Sequence, residues 1–574
     1  MIRKRWIGSL AALGVVVGIS AGSASAADAC SAPKLDTGDT AWMLTSTALV
    51  LMMTVPGLAL FYGGLVRSKN VLSTLMHSFF CAGLISVTWV LFGYSLAFGP
   101  DKGGGLIGSL QFAGLKGILG TANPLAPTIP AMLFVAYQAT FAIITPALIS
   151  GTFAERMRFP AFALFMLLWS TLIYTPLCHW VWGGGWIATR VGALDFAGGT
   201  VVHISSGISA LVTALYLGKR FGHGHEPMPP HNLPFTVIGA SLLWVGWFGF
   251  NAGSALGSNE LASTAFVNTN TAAAAAGLGW LFAEWRRAGR PTLLGAASGA
   301  VAGLVGITPA AGFVTPLAAI IIGVIAGVVC YWACSLVKPR FGYDDALDVV
   351  GVHMVGGTIG ALLTGVFATA AVNAAIPALT VTNLTGGLLY GHPALLGKQL
   401  VAVVATYVFC GLGTLVLLVT VNAVCKLRAS QEEEIVGMDL SQHSERAYEL
   451  GLGESLAFLR VREPRSASVP PVLGGRFTVA MENVEPAKIS DHWRNLCQDH
   501  GVPPTPEFKL VYSQFAVLRG ARFRFRGGDR EEIRRSLERL FKNASPMARA
   551  VIENEDAAYE VQAWGPERST LLPA

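Results

Sequence analysis

The chain has 574 residues, of which 53% are hydrophobic and 13% charged, and its mean hydropathy is +0.54. Soluble proteins carry ~25% charged residues, so this composition excludes a single soluble globular enzyme and a disordered chain. The formal net charge of +6 is modest and does not indicate nucleic-acid binding. Residues 452–574 hold 34 of the 74 charged residues, which predicts a long membrane-embedded region followed by a water-soluble domain.

The first residues are typical of a secretory signal peptide. Three basic residues at 3–5 precede an apolar run over 7–19, and Ala-Ser-Ala at 24–26 is a small-residue cleavage pattern. The run is short for a bilayer span. We interpret residues 1–26 as a signal peptide, with a retained transmembrane helix as the alternative.

Eleven apolar stretches are long enough to cross a bilayer. They cover residues 42–65, 71–98, 131–151, 160–182, 200–218, 234–253, 262–285, 292–311, 315–337, 348–369 and 399–425. The sequence therefore predicts an all-α polytopic membrane protein with eleven transmembrane helices. The connections of one side hold thirteen Lys and Arg residues and those of the other side five. Basic connections stay in the cytoplasm, which predicts an outside N-terminus and a cytoplasmic C-terminus.

The fifth and tenth segments share the pattern Val-His-x-x-x-Gly, at residues 202–207 and 352–357. Each histidine follows an acidic residue near the start of its segment, Asp195 before His203 and Asp348 before His353. A repeat of five segments must be inverted in the membrane, which is a transporter architecture with its site near the midplane. We therefore predict a 5+5 inverted repeat plus one further helix.

His203 and His353 are functional candidates because ionisable residues are costly to bury in a membrane. A lone membrane histidine is often only a packing residue, but two at matching positions of a repeat favour a function. Such a pair could ligate haem, bind a metal or contact a polar permeant. The sequence offers neither further redox partners nor nearby cysteine or carboxylate ligands. A small permeant that exchanges hydrogen bonds with imidazole fits best, and no cofactor or metal is predicted.

Aromatic residues crowd one end of several segments. Tyr137 lies near the start of the third segment, Trp182 ends the fourth, and a run with Phe250 and Ser254 ends the sixth. Interfacial aromatic residues usually form an anchoring belt. Three such places on one side, with glycines and a hydroxyl, can also form a cation-π cup.

A series of long motifs runs through the apolar region. They are Phe-Tyr-Gly-Gly-Leu-Val-Arg at 61–67, Ala-Glu-Arg at 154–156, Trp-Gly-Gly-Gly at 182–185, Asp-Phe-Ala-Gly-Gly-Thr-Val-Val-His at 195–203, Gly-Trp-Phe-Gly-Phe-Asn-Ala-Gly-Ser at 246–254, Ala-Phe-Val-Asn-Thr at 265–269 and Gly-Val-His at 351–353. In this order they resemble the ammonium transporter family. The resemblance implies a homotrimer with one pore per subunit, ammonium or ammonia as substrate, and a transporter of nitrogen metabolism in a bacterial inner membrane rather than an enzyme.

The resemblance also implies roles for single residues. His203 and His353 match twin pore histidines, Trp182 and Ser254 match an outer ammonium site, and Asp195 matches a carboxylate that supports this site.

One gate residue departs from the family pattern. Phe250 matches one ring of a paired-phenylalanine gate, and we expect the other ring at Tyr137, where Phe is commoner. The departure adds a hydroxyl to the gate. The expected path begins with ammonium held by Trp182, Ser254 and Tyr137. The ion then loses its proton and passes Phe250 as ammonia towards the histidines.

Two rival functions stay open on the sequence alone. One is an ammonium sensor that signals through the attached C-terminal domain, although no kinase, phosphoacceptor or cyclase motif is found there. The other is a channel for another small neutral solute, against which the cation-binding character of Trp182 and Ser254 argues.

The domain boundaries follow composition. Residues 40–428 are the predicted membrane domain, 429–454 a cytoplasmic regulatory tail, 455–475 a Pro- and Gly-containing linker and 476–560 a soluble domain. In the soluble domain, strands are predicted over 477–484, 508–515, 521–526 and 548–553 and helices over 489–500 and 529–541. This βαββαβ order predicts a ferredoxin-like sandwich.

Two hypotheses concern regulation. The family resemblance of the tail implies a PII-type partner on the cytoplasmic side. The alternating arginines at 522, 524 and 526 could bind an anion or nucleotide, or only solvate one sheet face. We therefore expect the soluble domain to modulate the pore from the cytoplasm.

Overall fold

The structure is a computed structural model that describes residues 34–448 and, further on, the backbones of five strands between 476 and 562. The chain divides into two units, Met1–Val461 and Arg462–Ala574, and each is described by itself. The predicted signal peptide, the linker and both helices predicted for the soluble domain lie outside the described residues.

The membrane unit consists of long helices that we label in chain order. They are α1 (Thr37–Leu65), α2 (Ser68–Phe98), α3 (Ala131–Phe153), α4 (Phe159–Val181), α5 (Gly199–Leu217), α6 (Leu233–Ala255), α7 (Glu260–Ala288), α8 (Leu293–Ile307), α9 (Pro316–Phe341), α10 (Val350–Phe367) and α11 (Pro393–Val424). A two-stranded hairpin of β1 (Ala122–Asn123) and β2 (Ala126–Pro130) precedes α3.

Nine of these helices are long and apolar enough to cross a membrane, judged over the described residues. The predicted segment 262–285 corresponds to α7, which is long enough but less apolar. The predicted segment 292–311 corresponds to α8, which has only 15 residues. The protein is therefore a helical multi-pass membrane protein, and the count of eleven spans stays a prediction.

Side-chain caps explain where several helices begin. Asn232, Asn259, Thr292 and Thr315 each accept a hydrogen bond from a backbone N–H in the first turn of α6, α7, α8 and α9. Such caps satisfy N–H groups that have no partner within the helix. At the other end of α7, Gly289 takes a left-handed φ of 77°, which glycine adopts without steric cost.

Helices α7, α8 and α9 pack closely because small residues face one another. A Cβ added to Gly303 of α8 would lie 2.5 Å from the Ala272 carbonyl oxygen of α7, and one added to Gly323 of α9 would lie 2.4 Å from the same atom. Any larger side chain would push the backbones apart. Gly303 and Gly323 therefore serve helix packing.

The C-terminal unit contains a five-stranded antiparallel sheet. Its strands are β3 (Arg476–Glu482), β4 (Lys509–Tyr512), β5 (Leu518–Arg526), β6 (Arg549–Asn554) and β7 (Ala557–Gln562). They lie in the order β4-β5-β3-β6-β7. The four predicted strands correspond to β3–β6, whereas β7 was not predicted because its sequence carries no clear turn signal before it.

The strand register sorts the residues of the sheet into two kinds of pair. Phe523 lies opposite Val479 and Phe525 opposite Phe477, whereas Arg524 lies opposite Thr478. Directly opposed residues share a face of a sheet. Apolar and polar positions therefore alternate coherently across the strands, as the period-two pattern of 522–526 predicted.

Candidate functional site

His203 and His353 meet in the middle of the membrane unit. Their Nδ1 atoms lie 3.2 Å apart and their rings are nearly parallel, with centroids 5.3 Å apart. Both side chains are buried. Each histidine sits in a π-helical first stretch of its helix, Gly199–Ile204 in α5 and Val350–Met354 in α10. The structure thus brings together the two histidines that the repeat pattern singled out.

The short contact between the rings fixes how their protons are arranged. When both rings are neutral, one Nδ1 carries a proton and donates a hydrogen bond to the other, unprotonated Nδ1. The two histidines then hold opposite tautomers, and one of the two Nε2 atoms bears a proton while the other presents a lone pair. His203 Nε2 is buried and has no hydrogen-bond partner among residues 34–448.

A narrow apolar cavity surrounds the histidine pair. It has about 10 Å³ of room for the centre of a water-sized molecule, which is about enough for one such molecule. Apart from the two imidazoles its walls are apolar or aromatic, and they comprise Met53, Leu58, Phe61, Ile144, Leu148, Val202, Leu243, Trp247, Phe250 and Val301. The cavity suits a very small, uncharged molecule because an unpaired ion is costly to bury among apolar walls.

Two phenyl rings separate this cavity from the aromatic end of α4. The rings of Phe141 and Phe250 lie 4.3 Å apart at 32°, and Trp182 packs edge-on against Phe141 at 5.7 Å. The ring packed against Phe250 is therefore Phe141 and not Tyr137, where we expected it. Tyr137 lies one helical turn away on α3 and touches Phe141 edge-on. The ring pair keeps two phenyl groups, and the extra hydroxyl is not part of it.

The Tyr137 hydroxyl lies beside Ser254 instead. Its oxygen is 2.9 Å from the Gly249 carbonyl oxygen, 3.0 Å from that of Phe250 and 3.2 Å from Ser254 Oγ. Ser254 Oγ in turn donates to the Phe250 carbonyl oxygen at 2.9 Å. Tyr137 is buried, whereas Ser254 and Trp182 are partly exposed.

Asp195 holds the start of α5. Its carboxylate accepts hydrogen bonds from the backbone N–H groups of residues 198–201 at 2.6–3.3 Å and from the Thr200 hydroxyl. Its backbone carbonyl accepts the Trp182 indole N–H at 3.0 Å. One residue thus fixes both the helix that carries His203 and the ring of Trp182.

The counterpart of Asp195 in the second half is Asp345 and not Asp348, which the sequence analysis had paired with it. Asp195 accepts from the N–H five residues later and precedes His203 by eight residues. Asp345 Oδ2 accepts from Val350 N at 2.8 Å and precedes His353 by eight residues. Asp348 lies closer to His353, has a φ of 59° and pairs with Lys338.

Comparison with known proteins decides the family. The model of the Ammonium Transporter Family matches residues 41–448. The ammonium transporter of Bacillus subtilis (strain 168) is 56% identical over 72% of this chain and 98% of its own length. That of Aquifex aeolicus (strain VF5) is 50% identical over 77% of this chain and 100% of its own length. The chain belongs to the ammonium transporter family.

The fold of the transporter agrees with this assignment. The crystal structure of Saccharomyces cerevisiae Mep2 has a TM-score of 0.64 and 40% sequence identity, and covers 70% of this chain and 89% of the yeast chain. The family consists of transporters or channels rather than enzymes. Because the curated relatives are named as transporters, the comparison does not favour the sensor alternative.

Sequence reasoning missed three residues of the transporter's central region. Phe141 follows Tyr137 by one helical turn, and this spacing was the available signal. Trp247, which stacks on His203 at 5.6 Å and donates to Thr308 Oγ1 at 2.9 Å, lies inside the quoted 246–254 motif. Asp345 was detectable from its distance to His353.

A buried ion-pair network lies where α3 ends. Glu155 pairs with Arg67 at 2.8 Å and with Arg220 at 3.0 Å, and Asp344 pairs with Arg220 at 2.9 Å and Arg156 at 3.5 Å. Burial alone would raise the pKa of Glu155, but the two guanidinium groups outweigh it and hold the pKa at about 2. The pKa of Asp344 is likewise depressed, against burial, by Arg220 and Arg156.

The segment after α11 packs against this same end of the transporter. Two short helices lie there, α12 (Gln431–Val436) and α13 (Met438–His443). Ser430 and Glu433 form a capping box at the start of α12. Glu433 pairs with Arg158 at 2.8 Å, and the Asp439 carboxylate accepts from Ser73 N at 2.8 Å. These contacts tie the beginning of the predicted tail to α2 and to the α3–α4 connection.

Proposed function

We propose that ammonium transport by this protein proceeds from the Trp182–Ser254 region, past the Phe141–Phe250 ring pair, to the cavity of His203 and His353. The observation that carries the proposal is the paired histidines in a buried apolar cavity directly behind two phenyl rings in contact. A charged ion fits the polar, partly exposed end of this series, and a neutral molecule fits the apolar end.

Magnitudes decide which species crosses the ring pair. Stripping water from an unpaired ammonium ion costs on the order of tens of kcal/mol in a low-dielectric medium, whereas a cation-π contact returns ~2 kcal/mol. Deprotonating an ion with a lysine-like pKa costs about 5 kcal/mol at neutral pH, at ~1.4 kcal/mol per pKa unit. Deprotonation is the cheaper route, so ammonia passes Phe141 and Phe250.

The histidine pair receives the ammonia. One unprotonated ring nitrogen accepts an N–H bond from ammonia, and one N–H group donates to its lone pair. The same pair can carry the released proton: the ring whose Nδ1 donates takes that proton at its free Nε2, its Nδ1 proton passes to the other Nδ1, and the second ring releases its Nε2 proton. Transport is then electrogenic.

The test is a His203→Leu variant in proteoliposomes. We expect ammonium-evoked current to fall strongly, because leucine can neither exchange hydrogen bonds nor hold a proton. The matched control is His77→Leu. His77 is a buried histidine of α2 that packs against Phe153 and Phe162, away from the cavity, so its current should persist. Unchanged current in the His203 variant would exclude the relay.

The oligomeric state, membrane and orientation of the transporter are proposed from its charge distribution and its family. We propose a homotrimer in a bacterial inner membrane, with the N-terminus outside and the ion-pair network of Glu155 and Asp344 on the cytoplasmic side, where a PII-type protein binds. Support comes from the excess of Lys and Arg at this end. Cysteine accessibility labelling of a single Cys introduced at residue 226 would report the side, and mass measurement in nanodiscs the subunit number.

For the C-terminal unit we propose a ferredoxin-like sandwich that modulates transport. The order β4-β5-β3-β6 of its antiparallel strands suits that fold, and one face of the sheet is rich in apolar positions that helices could cover. Deletion of residues 470–574 should leave membrane insertion intact and alter the regulation of methylammonium uptake. If the intact and the truncated protein take up methylammonium equally at high and at low ammonium supply, the result would contradict a regulatory role.

A further inference from the structure

The Tyr137 hydroxyl and three neighbouring oxygen atoms form a cluster of four oxygens that share only two hydrogen-bonding protons. They are the two hydroxyl oxygens of Tyr137 and Ser254 and the carbonyl oxygens of Gly249 and Phe250, linked by contacts of 2.9–3.2 Å. Carbonyl oxygens only accept hydrogen bonds, and each hydroxyl has a single proton to donate. The cluster therefore has more acceptors than donors.

The allowed arrangements of the two protons lead to one result for Ser254. Its proton goes either to the Phe250 carbonyl oxygen at 2.9 Å or to Tyr137 Oη at 3.2 Å. In both cases the proton is used inside the cluster. While its proton is bonded inside the cluster, Ser254 Oγ meets any further molecule with a lone pair and so favours a hydrogen-bond donor.

Tyr137 and Ser254 differ in their access to the outside of the cluster. The Tyr137 side chain is fully buried at 0% exposure, and its ring is wedged between Phe141 and the turn that carries Phe250. Ser254 is partly exposed. The tyrosine hydroxyl can therefore act on a bound ion only through Ser254 and through the turn 248–252.

We propose that Tyr137 is a positioning residue that sets the specificity of the transporter by locking Ser254 as a fixed hydrogen-bond acceptor. The inference rests on the proposed ammonium site at Trp182 and Ser254. The locked oxygen favours a small cation that directs an N–H group at one point. Methylammonium benefits less from it, because one of its four tetrahedral positions is an apolar methyl group and the ion is larger.

A phenylalanine at this position would release the lock in two ways. The Gly249 and Phe250 carbonyl oxygens would lose the one proton that Tyr137 can offer to either of them, although Phe250 keeps the bond from Ser254. The Ser254 hydroxyl would lose a neighbour that restrains its rotation. The π-helical turn Phe248–Ala252 would then hold Ser254 less firmly. The ring pair of Phe141 and Phe250 would remain, so passage after binding should continue.

The experiment measures ammonium and methylammonium transport by the full chain in proteoliposomes for Tyr137→Phe, Ser254→Ala and the double variant. For Tyr137→Phe we expect the KM for ammonium to rise about five-fold, which corresponds to ~1 kcal/mol. Vmax should change little. The KM for methylammonium should rise less, so that selectivity for ammonium over methylammonium falls. In the Ser254→Ala background, Tyr137→Phe should have no further effect, because a residue that acts through another shows strong coupling with it.

The matched control is Tyr407→Phe, which removes another tyrosine hydroxyl bonded to a side-chain hydroxyl, that of Thr358 at 2.8 Å, away from Ser254. It should leave the selectivity unchanged. If Ser254→Ala raises KM and Tyr137→Phe leaves KM and selectivity as in the unaltered protein, the positioning role is overturned while the ammonium site stands. Additive effects in the double variant also overturn it. If Ser254→Ala has no effect, the site itself is misplaced and the inference fails with it.

Discussion

The two helices that carry the histidines begin in the same way but in different surroundings. At the start of α5, Asp195 receives bonds from four backbone N–H groups and the Thr200 hydroxyl, and it lies beside the Trp182 ring. At the start of α10, the Asp345 carboxylate receives the Val350 N–H, and ion pairs of Asp344 and Lys338 crowd around it.

The comparison shows how one aspartate–histidine spacing holds the starts of two helices at the two ends of the proposed ammonium path. The Asp–His spacing of eight residues is the common part, because it fixes a helix start and points a histidine inward. The neighbours decide the rest. At the Asp195 end they are aromatic rings and hydroxyls, which suit the cation-binding step of the proposed path. At the Asp345 end they are fixed charges that anchor connections and the tail.

The largest effect that would test this comparison is expected from Asp195→Ala. The change leaves four N–H groups and one hydroxyl without their acceptor in a buried place, at ~1–3 kcal/mol for each unsatisfied group. Methylammonium uptake, normalised to protein in the membrane, should be abolished. Asp195→Asn keeps one acceptor oxygen and should retain part of the uptake. Full activity of the alanine variant would mean that the helix start is held by other contacts.

A smaller effect is expected from Asp345→Ala. Here one backbone N–H is left without its acceptor, at ~1–3 kcal/mol, against four N–H groups and a hydroxyl for Asp195, so uptake should fall several-fold and not vanish. Asp348→Ala is the control, because Asp348 pairs with Lys338 and its carboxylate holds no N–H group of α10. A stronger effect of Asp348→Ala than of Asp345→Ala would reverse the assignment of the counterpart.

The smallest effect is on stability at acidic pH, and we expect it from the ion-pair network of Glu155 and Asp344 alone. Because the folded pKa of Glu155 is about 2, below its ordinary value of 4.5, its ionised form stabilises the protein above pH 4.5. This stability is lost as the pH falls towards 2. The Tm of detergent-solubilised protein should therefore drop across this window.

Glu155→Gln supplies the comparison for acid stability. The variant should have a lower Tm at pH 6, because the charges of Arg67 and Arg220 lose a partner, and its Tm should depend less on pH between 4.5 and 3. Parallel curves for both proteins would show that other carboxyl groups govern acid unfolding.

The sequence predicted most residues of the candidate site because the motifs that contain them are long. His203 and His353 were found from the shared Val-His-x-x-x-Gly pattern, and Asp195 was assigned through the family resemblance. The choice of Asp348 over Asp345 was wrong because closeness in sequence was weighed above the aspartate–histidine offset of the first half. Tyr137 was assigned to the ring pair because an aromatic residue was sought in the motif, and sequence alone does not say which of two rings one turn apart faces Phe250.

The helix bounds were predictable to within a few residues, since apolar length and caps such as Asn259 and Thr315 mark them. The π-helical stretches were not predictable, because they depend on tertiary packing and leave no composition signal. Strand β7 was missed for a related reason, as the short connection from β6 at 555–556 carries no glycine or proline.

The π-helical stretch Gly199–Ile204 amounts to an extra residue wound into α5. An ordinary α-helix turns by about 100° per residue. Removing one residue from this stretch would let the helix become regular and would turn its first residues, His203 among them, by about that angle relative to the rest of α5. In α5 and α10 alike, the direction of the imidazole therefore depends on the length of the chain as well as on the identity of the side chain, and single-residue deletions in these stretches would misdirect it.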